Sequence, residues 1–61
     1  MYKLFDKVKI KYNSIVGTIV DISGDDNDKK YVVESDTENT PGGYGGRWKL
    51  YDCKESEIEK I

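Results

Sequence analysis

The 61-residue chain has no histidine, one cysteine, one proline and no long apolar run. Each absence excludes something. Without histidine, neither a Ser-His nor a Cys-His catalytic pair exists. Cys53 alone closes no internal disulfide, and secreted domains of this size usually carry several cysteines, so a reducing, cytoplasmic setting is expected. The opening stretch MYKLFDKVKIKYN lacks the apolar core of a signal peptide, and no stretch is long enough to span a membrane. A basic excess is missing as well. Ten Lys and Arg stand against twelve Asp and Glu, a net charge of −2, which argues against a dedicated nucleic-acid binder. Richness in Lys, Asp, Ile and Asn is what an AT-rich bacterial genome encodes.

What is there is small and charged. Residues 1–61 make a single domain near the lower limit for folding without a disulfide or metal. Hydrophobic and charged residues each make up 36% of the chain, so the core is small and leaves little material for an enzyme pocket. No enzyme is expected.

Strand signals dominate the pattern. KVKIKY alternates strictly, with Val8, Ile10 and Tyr12 on one side and Lys7, Lys9 and Lys11 on the other. Asn13-Ser14 reads as a turn, and residues 15–22, rich in β-branched side chains, read as a second strand with Gly17 at a bend or bulge. SGDDND turns into a third strand over 29–35. After a glycine-rich segment, residues 47–53 form a fourth strand, with Trp48 and Leu50 alternating against Lys49 and Tyr51. In the tail, Ser56 and Glu59 have the spacing of a capping box, and Ile58 and Ile61 lie three apart, as in a helical turn or a kinked strand. Five short strands with turn signals every eight to twelve residues predict a small antiparallel barrel.

The segments FDKVKIKY, IVGTIVDI, KKYVVES and WKLYDCKESEIEKI resemble small bacterial SH3-like barrels, including domains of the KOW type. The match runs through Gly17, Ile19 and Ile22 in the second strand and Tyr31, Val33 and Glu34 in the third. The resemblance covers nearly the whole chain outside residues 36–47. It implies an all-β, five-stranded antiparallel SH3-like barrel with a one-turn helix at residues 54–57, followed by Ile58–Ile61 paired back onto the first strand. The expected core is Phe5, Val8, Ile10, Ile19, Ile22, Tyr31, Val33, Leu50 and Ile58, with Cys53 as a small core residue.

Three motifs invite chemistry. The acidic GDDND fails the ligand spacing of an EF-hand loop whether counted from Asp21 or from Asp25, so it reads as a solvated hairpin tip with no metal. Lys7, Lys9 and Lys11, with Lys3, form a stripe able to meet phosphates. Glu57 and Glu59 are expected to lie beside it and neutralise it. The third motif is TPGGYGGRW, residues 40–48, which holds four of the six glycines. It lacks the Gly-Lys-Ser/Thr ending of a phosphate loop.

Aromatics exceed what the core needs, and Tyr2, Tyr44 and Tyr51 do not fall on the buried faces. Tyr, Trp and Arg are the types enriched at binding hot spots, and tyrosine among glycines gives a rigid contact on an adaptable backbone. The glycines are expected to leave this loop mobile until a partner orders it. The sequence therefore predicts a non-enzymatic, monomeric binding module without cofactor or membrane partner. It meets a protein or peptide through Tyr44, Arg47, Trp48, Tyr51 and Tyr2. The alternative is a KOW-like, nucleic-acid-associated accessory domain using the lysine stripe.

Overall fold

The computed structural model describes residues 2–61. Five strands follow one another: β1 (Lys7–Ile10), β2 (Val16–Asp25), β3 (Asp28–Ser35), β4 (Leu50–Lys54) and β5 (Ile58–Lys60), with a 3₁₀ turn (Glu55–Glu57) between the last two. All pair antiparallel in one sheet of order β4-β3-β2-β1-β5. The protein is all-β.

The order forces the sheet to curl, because β4 and β5 are its opposite edges yet consecutive in the chain. Four strand spacings would separate the edges of a flat sheet by roughly 19 Å. The 3₁₀ turn from Lys54 to Ile58 advances only about 8 Å. The edges therefore come together at this turn.

They do not join. No ladder links β4 to β5, so the expected closed barrel is an open, curled sheet. Other groups already occupy the Leu50 and Lys54 positions of the β4 edge and the Ile58 carbonyl of β5. Tyr44 pairs with Leu50, the Glu57 carboxylate accepts the Lys54 N–H at 2.7 Å, and the Tyr2 hydroxyl donates to the Ile58 carbonyl at 3.1 Å. Of the capping residues, it is Glu57 that serves the turn, rather than the Ser56–Glu59 pair.

Val8, Ile10, Ile19, Tyr31, Val33, Tyr51, Cys53 and Ile58 form the buried cluster, with Tyr2, Ile15 and Ile22 packed against it. Ile19 and Ile22 are three apart, which places them on opposite faces of a regular strand. Both turn toward the core because the register shifts between Ile19 and Asp21, leaving Val20 as an extra residue. The bulge is thus at Val20 and not at Gly17. Gly17 stays in register between Val8 and Ser35, where a Cβ would run into the Glu34 carbonyl oxygen and lie 2.7 Å from Val33 Cγ1.

Two expected core residues lie outside. Phe5 is 74% exposed, because β1 starts only at Lys7 and Phe5 occupies a turn closed by the Asp6 N–H on the Lys3 carbonyl at 3.1 Å. Its φ of 72° is a left-handed conformation unusual for an aromatic residue. The Asp6 carboxylate accepts the Lys3 N–H and lies 3.6 Å from the Lys60 ammonium, and these contacts hold its carboxyl below the usual range. Leu50 is the second case. β4 begins at Leu50, and its inward residues are Tyr51 and Cys53, so Leu50 is half-buried on the outer face. Tyr12, expected beside Val8 and Ile10, is exposed because β1 ends at Ile10 in a turn closed by the Ser14 N–H on the Ile10 carbonyl.

The pairing of the tail is as expected. Val8 faces Lys60, Lys9 faces Glu59 and Ile10 faces Ile58.

Candidate functional site

Residues 36–49 connect β3 to β4 and are tied down along their length. At the start, the buried Ser35 hydroxyl donates to the Thr37 carbonyl at 2.8 Å and accepts the Thr37 N–H at 3.0 Å. The Ser35 N–H reaches the Lys49 carbonyl, which draws the two ends together. The Asp36 carboxylate takes Lys7 Nζ on both oxygens at 2.9 Å and the Thr18 hydroxyl at 3.1 Å. The loop start is thereby fixed to β1 and β2.

The middle is held from below. Tyr51, 4% exposed, brings its hydroxyl 2.6 Å from the Pro41 carbonyl and 2.7 Å from Thr40 Oγ1. A phenol has one proton and a carbonyl can only accept, so the proton goes to Pro41 and the Thr40 hydroxyl donates to the phenol oxygen. Above it, Tyr44 and Leu50 exchange both backbone hydrogen bonds, at 3.0 and 2.8 Å, in a one-residue bridge on the β4 edge.

The glycines adopt backbone conformations that this path requires. Gly42, Gly43 and Gly45 have φ of 71°, 69° and 97°, values an L side chain adopts only with strain. At Gly43 a Cβ would also sit 2.8 Å from the Leu50 carbonyl oxygen and 2.9 Å from the Tyr51 ring. Glycine here permits close wrapping over a tyrosine.

The Tyr44–Leu50 bridge places Tyr44 on the outer face of the sheet. Its hydroxyl donates to Asp52 Oδ1 at 2.7 Å, and this bond to a carboxylate raises the Tyr44 pKa. The strand register sets the neighbours. Thr18, Glu34 and Leu50 form one cross-strand row, and Asp21, Val32 and Asp52 the next. The surface beside the loop is therefore an aliphatic and aromatic strip of Val32, Leu50 and Tyr44 bordered by carboxylates.

Of the residues singled out in the sequence, Tyr44, Arg47 and Trp48 share this loop and are exposed. Trp48 is 47% exposed and Tyr44 48%. The Arg47 guanidinium lies 4.0 Å from Glu38, and its carbonyl accepts the Asn39 N–H. Tyr51 is not on the surface. It supports the loop from inside the core. Tyr2 is apart from the group, half-buried edge-on against Tyr31 with ring centroids 5.6 Å apart. Sequence reasoning missed Leu50, Asp52, Val32 and Asp21 as surface neighbours, and Thr40 and Pro41 as partners of Tyr51. The phase of LYDCK, with Tyr and Cys alternating against Leu and Asp, was the available signal.

The other motifs resolve differently. Lys7 is taken by Asp36, and Lys9 lies 3.8 Å from Glu59, as expected for that pair. Glu57 instead caps the 3₁₀ turn. At the β2–β3 tip, the Asp25 carboxylate accepts the Asn27 and Asp28 N–H groups at 3.0 Å each. A shallow cleft of about 220 Å³ beside this tip is walled by Asp26, Asp28, Lys29, Lys54 and Glu55. It lacks the apolar lining of a small-molecule site. Cys53 is a core residue, and burial pushes its thiol pKa up, away from a reactive thiolate. No helix among the described residues is long and apolar enough to cross a membrane.

Comparison with known protein families, curated proteins and solved structures finds no significant match to this chain.

Proposed function

We propose that this chain is a non-enzymatic binding module of the SH3-like class, which meets a protein or peptide partner through the 36–49 loop and the sheet face beside it. The observation that carries this reading is the Tyr51 hydroxyl. It lies under the loop, bonded to Thr40 and Pro41 just before exposed Tyr44, whose own backbone bridges to Leu50. A connection between antiparallel strands needs only about two to five residues. The additional chain here is shaped, carries the exposed Tyr, Arg and Trp, and is braced by a core side chain. The strand order and the 3₁₀ turn before β5 support the SH3-like class. A reducing, cytoplasmic setting agrees with the single, buried cysteine.

The nucleic-acid reading is weaker. Two of the four lysines in its stripe, Lys7 and Lys9, have carboxylate partners within the molecule. Phage-displayed peptides selected on the protein, then mapped by amide chemical shifts, test the choice. Shifts centred on residues 44–52, with affinity lost by about 1 kcal/mol or more on Tyr44→Ala or Trp48→Ala, are expected. Tight binding of an RNA or DNA duplex that Lys7→Ala, Lys9→Ala and Lys11→Ala abolish together would replace this function with the alternative.

A further inference from the structure

We propose that the outer face of β2, β3 and β4 beside Tyr44 receives an extended partner segment carrying one or two arginines or lysines among apolar residues. This rests on the reading of the loop surface as a binding site and names the chemistry of its partner. The strip itself is apolar: Val32 and Leu50 are half-buried and Tyr44 is 48% exposed. Around it stand Asp21, Glu34 and Asp52, all on the same face by register.

Charge separates this part of the face from the rest. On the β1–β5 side, carboxylates meet bases: Asp36 with Lys7, and Glu59 with Lys9. Asp21, Glu34 and Asp52 have no Lys or Arg within 4.0 Å among the described residues. Asp52 takes the Tyr44 hydroxyl on one oxygen. An arginine satisfies both features. Its aliphatic stem packs on Val32, Leu50 and the Tyr44 ring while its guanidinium reaches the carboxylates, in the manner of long cationic side chains on apolar surfaces.

The same face limits how basic the partner is. The row beyond Asp21 and Asp52 holds Lys30 directly opposite Lys54, neither of them in an ion pair among the described residues. A long polybasic tract would run onto these two lysines. A segment with isolated bases would not. The β4 edge offers one further contact. By ladder alternation the Asp52 N–H and C=O point away from β3, between the Leu50 position covered by Tyr44 and the Lys54 position covered by Glu57. A short extended segment can pair there.

The test uses the whole chain and fluorescein-labelled octapeptides of Ala, Thr and Tyr that carry two Arg, two Lys, two Gln or two Glu. Affinity is read by anisotropy and location by amide shifts. The Arg peptide is expected to bind about tenfold more tightly than the Glu peptide, and to weaken as salt rises. Its shifts should centre on residues 21, 32, 34, 50 and 52. The combined Asp21→Asn, Glu34→Gln and Asp52→Asn variant should erase the preference while keeping the acceptor to Tyr44.

Equal binding of Arg and Glu peptides overturns the cationic partner. If Tyr44→Ala and Trp48→Ala still weaken that binding, the loop site itself survives. Absence of binding by all four peptides overturns both readings. Concentration-dependent shifts of the same amides in the free protein would assign the face to a second copy of the chain and also overturn the proposal.

Discussion

Two connections flank β3, and they solve the same problem at different scales. The β2–β3 connection turns in two residues, Asp26 and Asn27, between Asp25 and Asp28. The β3–β4 connection uses residues 36–49, fourteen positions between Ser35 and Leu50. Glycine at positive φ serves both, 89° at Gly24 near the turn-ward end of β2 and 69–97° at Gly42, Gly43 and Gly45 within the long loop. The difference is where their hydrogen bonds come from. The short tip is closed locally by the Asp25 carboxylate. The long loop is held by groups outside it, in the sheet: Tyr51 of β4 beneath, Leu50 of β4 at the edge, and Val16 and Thr18 of β2 at its start. Length in this loop is not slack, because the core and the sheet fix its path.

Breaking either connection tests the contrast. The largest effect is expected at the short tip. In Gly24→Ala a Cβ at φ 89° runs into the Asp28 carbonyl oxygen, so denaturant unfolding should show a loss of about 2 kcal/mol. Peptide binding at the Tyr44 surface should persist where the protein remains folded. A neutral Gly24→Ala would show that the tip is not a fixed turn.

Tyr51→Phe comes next. The ring still fills the core, but the Pro41 carbonyl and Thr40 hydroxyl lose their partner, a loss of about 1–2 kcal/mol. Amide exchange at Tyr44 and Leu50 should accelerate more than exchange within β2. Unchanged stability and exchange would mean that the loop is not braced from the core.

Titration probes the same loop on its exposed side. The Asp52 carboxylate raises the Tyr44 phenol above its ordinary value of about 10. Any stability this bond contributes is complete below the ordinary phenol pKa and is lost as pH rises through the raised value. Asp52→Asn should shift the Tyr44 ultraviolet titration downward. No shift would place the phenol away from Asp52. The smallest effect is expected at Gly46, which has no positive φ and where an added Cβ would meet no atom within 4 Å. Gly46→Ala should change stability by less than about 0.5 kcal/mol, and a larger loss would show that this position needs glycine's freedom.

Much of the sheet was legible because alternation is a local signal. Val8 and Ile10, and Tyr31 and Val33, were readable from it, whereas the return of Ile58–Ile61 onto the first strand was an expectation of the SH3-like resemblance. The errors have local causes too. RWKLYDC carries large apolar residues in both phases, so Trp48 and Leu50 compete with Tyr51 and Cys53 for the inner face. Packing, which the pattern does not contain, decides for Tyr51 and Cys53. Phe5 lies three residues before Val8, a spacing that a continuous strand cannot turn inward. Between β4 and β5, Tyr44, Glu57 and Tyr2 occupy edge groups through side-chain and loop contacts that strand alternation does not encode, the Tyr2–Ile58 bond spanning nearly the whole chain. The exposed Tyr44, Arg47 and Trp48 were visible as surface residues. That Tyr51 supports them was not, because its partners lie ten and eleven residues upstream and across the loop.

Backbone ¹⁵N relaxation on the free, unmodified protein tests most directly whether the core braces the long loop. A loop held by Tyr51 should give order parameters of about 0.8 or higher for residues 40, 42, 43 and 44, close to those of β3 and β4. Values below about 0.6 across these residues would contradict it, and would return the glycines to the role of a mobile tip.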